Sequence, residues 1–352
     1  MALKRFVLAA LALSLVAGAC GKNSDSPKAS TDTTTDAAPV TVRLGYFPNI
    51  THATALVGVA KGIYAAKLGK DKLETQTFNA GPAAVEALFA KAIDATYVGS
   101  NPAINAWAQS NGSAVKIISG ATSGGAALVV KPEITKPADL KGKKIASPQL
   151  GNTQDVALKY WLKQQGLNVD ATTGSGDVTV VPQENGLTLQ LFQSGDIAGA
   201  WVPEPWVTRL VQEGGGKVLV DEKTLWPGGN FVTTQLIVRT EFLKDHPDAV
   251  KRLLAGHIAA TEYVNDHATE AQAAANTEIE RITGKKLADG VISSAWKNLR
   301  FTNDPIAASL TTGAKHAESI GLLKPVNLAG IYDLKLLNQL LEADGKDAVK
   351  TK

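Results

Sequence analysis

The chain has 352 residues, of which 44% are hydrophobic, with 36 Lys and Arg against 33 Asp and Glu. This length is enough for two domains with separate cores, and the hydrophobic fraction excludes an intrinsically disordered chain. A net charge of +3 without a long basic run gives no basis for binding nucleic acid, and the single cysteine, Cys20, excludes an internal disulfide, a cysteine-based zinc site and an iron–sulfur cluster.

The N-terminus has the organisation of an export signal. Lys4 and Arg5 precede an uncharged run, residues 6–19, which is shorter than the roughly 20 residues of a membrane-spanning helix. The segment Val-Ala-Gly-Ala-Cys, ending at Cys20, resembles a bacterial lipobox, although Leu is commoner than Ala at its second position. The resemblance implies that residues 1–19 are a lipoprotein signal peptide and that lipid is attached to Cys20. A free cysteine after an ordinary signal peptide is the alternative.

Residues 20–39 are predicted to be a flexible tether. From Gly21 to Pro39 the chain has no aromatic or large aliphatic residue, so it cannot bury enough apolar surface to offset its conformational entropy. A lipid at Cys20, a tether and a globular body would place the protein on the outer face of the cytoplasmic membrane or in the periplasm.

From Val40 onward, β-branched runs alternate with amphipathic segments, which predicts an α/β fold with parallel sheets covered by helices. The predicted strands are Val42–Phe47, Leu73–Phe78, Ala95–Val98, Val115–Ser119, Ala126–Val130, Lys144–Ala146, Val178–Val181, Ala198–Val202, Lys217–Val220 and Thr233–Arg239. The predicted helices between them are Ala83–Lys91, Pro102–Gln109, Gln154–Gln165, Leu187–Gln193 and Glu204–Glu213. After Arg239 the pattern is helical, over Ala249–Asn265, Ala268–Ile282, Leu287–Ser294, Ile306–Ile320 and Leu334–Leu341.

The two series of elements are related by a weak internal repeat. A shift of 103 residues aligns Leu88 with Leu191 and Pro102 with Pro205, among other matches. Together with the common order of elements, the repeat predicts two similar α/β lobes. The alternative is the general likeness of any two βαβ units.

Five strand-to-helix junctions combine small or cap-forming residues with the start of a helix. They are residues 46–52, 79–82, 99–102, 149–153 and 202–206. A helix start presents unpaired backbone N–H groups and the positive end of a dipole, so it can hold an anion without a cationic side chain. Because ligands of open α/β sheets bind outside the carboxyl ends of the strands, these junctions predict one shared cleft. A single junction is better explained as a plain helix cap, and only the set of five favours the cleft.

The junction sequences also carry a family resemblance. Gly-Tyr-Phe-Pro-Asn-Ile-Thr-His, Ala-Gly-Pro-Ala-Ala-Val-Glu-Ala-Leu, Gly-Ser-Asn-Pro-Ala and Pro-Ala-Asp-Leu-Lys-Gly-Lys-Lys-Ile-Ala resemble the substrate-binding proteins of ABC importers for aliphatic sulfonates, taurine and nitrate. The resemblance implies a bilobed type II periplasmic-binding-protein fold with a hinge near Ala126–Lys131 and Thr233–Arg239 and a helical C-terminal region. Lobe 1 would comprise residues 40–132 and 230–352, and lobe 2 residues 133–229.

The resemblance also implies which residues bind the ligand. They are Tyr46, Pro48, Asn49, Thr51, His52, Gly81, Pro82, Ser100, Asn101, Thr122, Ser123, Gly151, Asn152, Thr153, Trp201, Glu204, Trp206, Phe231 and Thr233. No arginine lies in a junction, so an oxyanion would be held by N–H groups, hydroxyls and His52. Glu204 would pair with an ammonium group, or would cap its own helix. Trp107, Trp161 and Trp296 are predicted to be core residues, and the four histidines from His246 onward to lie on solvated faces.

The predicted function is therefore extracytoplasmic binding of a small oxyanion-type ligand, an aliphatic sulfonate or a taurine-like compound, for delivery to an ABC importer. A nitrate, sulfate-ester or vitamin-precursor binder of the same fold is an alternative, as is a chorismate-dehydratase-like enzyme. The sequence has no P-loop, no Gly-x-Gly-x-x-Gly and no Gly-x-Ser-x-Gly motif, and its histidines lack metal-ligand spacing. We expect no catalytic residue, metal or cofactor, a monomer, and an ABC permease with its ATPase subunit as partners.

Overall fold

The computed structural model describes residues 38–351, so the predicted signal peptide, Cys20 and nearly all of the tether lie outside the described residues. The strands are β1 (Thr41–Tyr46), β2 (Lys72–Thr77), β3 (Ala95–Val98), β4 (Val115–Gly124), β5 (Ala126–Val130), β6 (Lys144–Ser147), β7 (Thr179–Pro182), β8 (Gly199–Pro203), β9 (Lys217–Asp221), β10 (Val232–Arg239) and β11 (Leu299–Phe301). The helices are α1 (Ala53–Ala60), α2 (Ile63–Leu68), α3 (Gly81–Phe89), α4 (Ser100–Gln109), α5 (Thr153–Gln164), α6 (Asn185–Ser194), α7 (Trp206–Gln212), α8 (Thr240–Asp245), α9 (Pro247–Asp266), α10 (Ala268–Thr283), α11 (Asp289–Trp296), α12 (Ala307–Ser319) and α13 (Lys335–Ala343). All ten predicted strands are confirmed, each beginning within one residue of its predicted start.

The described strands form two sheets, which define the two lobes. The first sheet has the order β11-β4-β10-β3-β1-β2, and the second has the order β7-β6-β8-β5-β9. In the first sheet, β1 pairs in parallel with β2 and β3, and β3 pairs with the antiparallel strand β10. In the second sheet, β6 pairs in parallel with β7 and β8, and β8 pairs with the antiparallel strand β5. The common strand order confirms the predicted pair of similar α/β lobes.

The chain passes between the sheets twice. The first passage, from β4 to β5, occurs at Gly124 and Gly125, whose φ values of 83° and 73° favour glycine. The second passage is the segment 222–231, which leads from β9 back to β10. The sheets are mixed rather than wholly parallel, because β5 and β10 enter their sheets directly from the other lobe and not through a βαβ crossover.

Each sheet is covered on both faces by helices, as predicted. Leu44 and Tyr46 face one core of the first lobe, while Val98 and Ile117 face the other. The second sheet likewise divides two cores between alternating residues. The C-terminal helices α9, α10 and α13 complete the first core with their apolar faces. Among residues 38–351, no helix is both long and apolar enough to cross a bilayer.

The aromatic and histidine predictions have mixed outcomes. Trp107, Trp161 and Trp296 are buried, as predicted. The prediction that His257 lies on a solvated face is wrong, because it is fully buried on the inner face of α9. Its Nδ1 lies 2.6 Å from the Tyr97 hydroxyl, and its Nε2 lies 2.9 Å from Ser119 Oγ.

Candidate functional site

A small cavity lies between the two lobes, at the carboxyl ends of the parallel strands. The first lobe lines it with Phe47, Asn49, Thr51, His52, Asn79, Ala80, Gly99, Thr233 and Thr234. The second lobe contributes Pro148, Asn152, Thr153, Gln154, Asn185 and Pro203. Both lobes therefore line one shared cavity.

Four helices begin at the cavity. Their N-cap residues are Ala80 for α3, Gly99 for α4, Asn152 for α5 and Glu184 for α6. Ala80 and Gly99 have no side-chain acceptor, and the side chains of Asn152 and Glu184 do not bond to an N–H group of their own helices. Apart from the Asn101 N–H, which donates to Thr153 Oγ1, first-turn N–H groups receive no acceptor from these N-cap side chains, and the helix dipoles favour a negative charge between them.

His52 contributes a neutral donor to the cavity. Its Nδ1 accepts a hydrogen bond from the Phe47 backbone N–H at 3.3 Å, and its ring stacks on the Phe47 ring at 4.3 Å. Burial lowers the pKa of His52 to about 3, so the ring is uncharged at neutral pH. Because Nδ1 accepts, the proton lies on Nε2, which can donate a hydrogen bond.

The lining of the cavity is polar but has no formal charge. None of the described residues that line it is Arg, Lys, Asp or Glu; amides and hydroxyls supply its polar groups. Two of these groups, Asn185 Oδ1 and Thr234 Oγ1, are buried without a hydrogen-bond partner within residues 38–351. Native proteins leave few such groups unpaired, so a bound molecule is expected to complete them. The described chain has no group of three or more His, Cys, Asp or Glu placed to hold a metal ion.

Direct contacts between the lobes close the cavity. Trp206 Nε1 donates to Asn49 Oδ1 at 2.9 Å, and Asn79 Nδ2 donates to a Glu184 carboxylate oxygen at 2.5 Å. The Asn101 backbone N–H donates to Thr153 Oγ1 at 3.4 Å. The structure is therefore the closed form of the cleft.

A buried ion pair holds the start of α5 in place. The carboxylate of Asp155 accepts from Ser147 Oγ at 2.7 Å and from the Gly151 N–H at 2.9 Å. Lys159 Nζ lies 2.8 Å from the same carboxylate and donates to the Ala171 carbonyl at 2.7 Å. The side chains of Asp155 and Lys159 are 0% and 1% exposed. This network fixes the junction that presents Asn152 and Thr153 to the cavity.

The residues that the sequence nominates fall into three groups. Asn49, Thr51, His52, Asn152, Thr153 and Thr233 line the cavity. Pro48, Gly81, Pro82, Ser100, Asn101, Gly151, Thr122 and Ser123 lie in or beside the same junctions without lining it. Several of these support the lining: Thr122 Oγ1, for example, donates to the Thr51 carbonyl at 2.7 Å.

The third group comprises the four nominated aromatic residues and Glu204, which do not line the cavity; Tyr46, Trp201 and Phe231 make their contacts away from it. The Tyr46 hydroxyl donates to a Glu278 carboxylate oxygen at 2.5 Å inside the first lobe. Trp201 Nε1 donates to Glu222 at 2.7 Å, and Phe231 stacks on Trp226 with their ring centroids 5.5 Å apart. Trp206 bridges the lobes through Asn49, as described above.

Glu204 also lies outside the cavity lining. Its carboxylate accepts from the Thr208 N–H at 3.1 Å, from Thr208 Oγ1 at 2.9 Å and from Asn298 Nδ2 at 2.6 Å. Burial raises its pKa, while these hydrogen bonds oppose the shift. Glu204 thus bonds to the first turn of α7 and to the neighbouring lobe, and it does not line the cavity as a partner for an ammonium group.

Several lining residues are absent from the sequence-based set: Phe47, Asn79, Ala80, Gly99, Pro148, Gln154, Asn185, Pro203 and Thr234. Many of them belong to the nominated junctions or adjoin them. Asn185 does not, although the β7–α6 junction, with Pro182 before Asn185, has the same residue types as the five nominated junctions. The internal repeat contained the missing signal, since the shift of 103 residues places Pro82 on Asn185.

Comparison with known proteins identifies relatives of the chain. The sequence profile of the NMT1-like family matches residues 35–277. The taurine-binding periplasmic protein of Escherichia coli (strain K12) is 31% identical over 211 residues, which are 59% of this chain and 62% of that protein. A Bacillus subtilis (strain 168) protein, provisionally named as aliphatic sulfonates-binding, is 25% identical over 82% of this chain and 84% of its own length. The chain thus matches less than two thirds of the Escherichia coli protein.

Solved structures share the fold. The alkanesulfonate-binding protein SsuA from Xanthomonas axonopodis pv. citri, bound to MOPS, superposes with a TM-score of 0.68 at 18% identity. The match covers 82% of this chain and 96% of that one. The predicted bilobed periplasmic-binding-protein fold is confirmed by this similarity, and the relatives agree with the family resemblance seen in the sequence.

Proposed function

The chain belongs to the NMT1-like family, and we propose that it is an extracytoplasmic solute-binding protein that delivers a small sulfonate-type oxyanion to an ABC importer. The observation that carries the proposal is the convergence of four helix starts without side-chain caps on one closed, polar cavity. N–H groups, hydroxyls and the Nε2 proton of His52 would surround an oxyanion with donors, without a cationic side chain. The names of the taurine-binding and sulfonates-binding relatives point to the same ligand class.

Closure of the two lobes around the ligand would supply the signal to the importer. The ligand would complete contacts with both lobes, so it would stabilise the closed form over the open one. The expected partners are an ABC permease and its ATPase subunit, as the sequence resemblance implies. His52 is the single titratable residue among the described lining residues, so the cavity lacks a pair of groups for acid–base catalysis.

The test is calorimetric titration of the mature protein in maltoside detergent with taurine, ethanesulfonate, a sulfate ester and nitrate. A sulfonate should bind, and Thr153→Ala should weaken binding by about tenfold or more, because it removes a hydrogen bond to a charged acceptor. The control is Lys61→Ala, an exposed lysine remote from the cavity, which should leave the affinity within about twofold. Loss of binding in the control alone, or no binding of any sulfonate, would overturn the proposal.

We also propose that Cys20 is the point of lipid attachment. Cys20→Ser should move the protein from the membrane fraction to the soluble fraction without changing ligand affinity, because the tether separates the anchor from the cavity. A Cys20→Ser protein that stays in the membrane after a salt wash would contradict lipid anchoring and leave the ligand proposal intact.

A further inference from the structure

The cavity has one buried acceptor that an oxyanion cannot satisfy. Resting on the proposed function, we propose that Asn185 is the residue that sets ligand specificity. Its amide oxygen accepts a hydrogen bond from an amino or hydroxyl group at the far end of the ligand from the sulfonate. The site therefore selects short sulfonates that carry a hydrogen-bond donor over plain alkanesulfonates and nitrate.

Asn185 presents an unpaired acceptor to the cavity. Asn185 is 6% exposed, lines the cavity, and its Oδ1 has no hydrogen-bond partner in the described chain. Thr234, from the opposite lobe, is 1% exposed, and its Oγ1 is also unpaired. Sulfonate and nitrate oxygens only accept hydrogen bonds, so they leave Asn185 Oδ1 unsatisfied. An ammonium or hydroxyl group satisfies it, and the hydroxyl of Thr234 can accept as well.

Charge is distributed unevenly among the helix starts around the cavity. Glu184 is the N-cap residue of α6 and lies next to Asn185 in the chain. Its carboxylate accepts a hydrogen bond from Asn79 Nδ2 at the edge of the cavity. This negative charge offsets the positive end of the α6 dipole. The first turns of α3 and α4 carry no acid, and Asp155 in the first turn of α5 is paired with Lys159. The oxyanion is therefore favoured at the starts of α3, α4 and α5, and a donor group near the start of α6.

Glu204, which the sequence suggested as the partner of an ammonium group, is not available to the ligand. Glu204 makes three hydrogen bonds to Thr208 and Asn298 and does not line the cavity. A donor group inside the cavity consequently meets neutral oxygens. A neutral acceptor can accept a hydrogen bond from a hydroxyl group as well as from an ammonium group. The class of ligand that the site selects is therefore defined by its hydrogen-bond donor and not by the charge of that donor.

The experiment titrates four ligands into the mature protein: taurine, 2-hydroxyethanesulfonate, ethanesulfonate and nitrate. The wild-type protein should bind the two donor-bearing sulfonates at least about tenfold more tightly than ethanesulfonate, the loss of one buried hydrogen bond. Asn185→Leu should reduce this preference to about threefold or less while ethanesulfonate binding changes little. Asn185→Asp should increase the preference for taurine and weaken ethanesulfonate, because its carboxylate attracts the ammonium and repels the sulfonate.

Two further variants keep the test decisive. Thr234→Val removes the second unpaired oxygen at nearly constant volume and should reduce the same preference, even if Asn185→Leu fails to fold. Asn168→Leu, an exposed asparagine of the second lobe outside the cavity lining, should leave every affinity unchanged.

Three results overturn the inference. Equal affinities for taurine and ethanesulfonate in the wild-type protein would mean that no donor is recognised. A preference that survives in the Asn185 and Thr234 variants would place the donor elsewhere. Equal loss of all four ligands in Asn185→Asp would place Asn185 at the oxyanion end. Failure of every sulfonate to bind the wild-type protein refutes instead the proposed function on which the inference rests.

Discussion

A single methyl group at Gly99 should hold the cleft open. A Cβ atom at this position would lie 2.3 Å from Thr153 Oγ1 and 3.3 Å from Thr153 Cβ, in the opposite lobe. The backbone of Gly99, with φ −71° and ψ 172°, is in the extended region that alanine adopts freely. Gly99→Ala should therefore leave each lobe folded and penalise only the closed form.

The size of the effect follows from the overlap. Thr153 Oγ1 is held by the Asn101 N–H, and the start of α5 is fixed by the Asp155 network, so the hydroxyl has little room to retreat. Overpacking of this kind costs about 1–3 kcal/mol. Because the open form does not pay this cost, ligand affinity should fall by about 5- to 150-fold.

Calorimetry would measure the loss of affinity, and small-angle scattering the change in radius of gyration on ligand addition. The ligand-induced decrease should be smaller in Gly99→Ala than in the wild-type protein. A matched control is Gly186→Ala at the start of α6, where the nearest atom to a new Cβ is Trp206 at 3.9 Å. This ordinary contact should leave closure and affinity nearly unchanged.

A double mutant tests the cause directly. Thr153→Ala removes the overlapping oxygen and leaves the next atom at 3.3 Å, so Gly99→Ala should cost much less in that background. Additive losses of affinity in the two single variants and the double variant would refute the reasoning. An unchanged affinity in Gly99→Ala would refute it as well.

Two other predictions concern buried charges of the second lobe and its return segment. Lys159→Met should lower the free energy of unfolding by about 3–5 kcal/mol in urea titrations, because it leaves the buried Asp155 carboxylate without its cation. Lys143→Met, at an exposed lysine, is the control. A loss below about 1 kcal/mol in Lys159→Met would contradict the prediction. Burial raises the pKa of Glu222 to about 7, against hydrogen bonds from Trp201 and Trp226, so the folded state binds more protons than the unfolded state between about pH 4.5 and 7. The stability that this group contributes is present at pH 4.5 and lost as the pH rises to 7. Between these pH values the free energy of unfolding of Glu222→Gln should therefore rise by on the order of 3 kcal/mol relative to that of the wild-type protein. If the free energies of unfolding of the two proteins change in parallel with pH, this assignment is excluded.

The sequence was sufficient for most of the fold because the fold depends on local patterns. Apolar runs and amphipathic segments located ten strands, and the repeat at 103 residues anticipated two sheets of the same strand order. The short strand β11 escaped detection, since three residues carry too little periodicity. His257 was misplaced because its burial depends on Tyr97 and Ser119, which lie far away in the chain.

The cavity was predictable in outline for a similar reason. The residues after β1, β3 and β6 have the local sequence of a helix start, which does not depend on the rest of the chain. Asn49, Asn152 and Thr153 could therefore be nominated without tertiary information. Lobe closure, however, decides which side chain at a helix start faces the ligand. It also decides which side chain forms hydrogen bonds with neighbouring protein groups instead.

Glu204 and Asn185 show the limit of the sequence. Both lie beside the start of a second-lobe helix, and by residue type the carboxylate is the stronger partner for an ammonium group. The sequence alone determined that helix starts of both lobes would present donors to one cleft. Only the tertiary structure could decide that Asn298, from a distant part of the chain, donates a hydrogen bond to Glu204 while Asn185 Oδ1 stays unpaired. The reason is that a hydrogen bond requires two atoms within about 3 Å in space, whatever their distance along the chain.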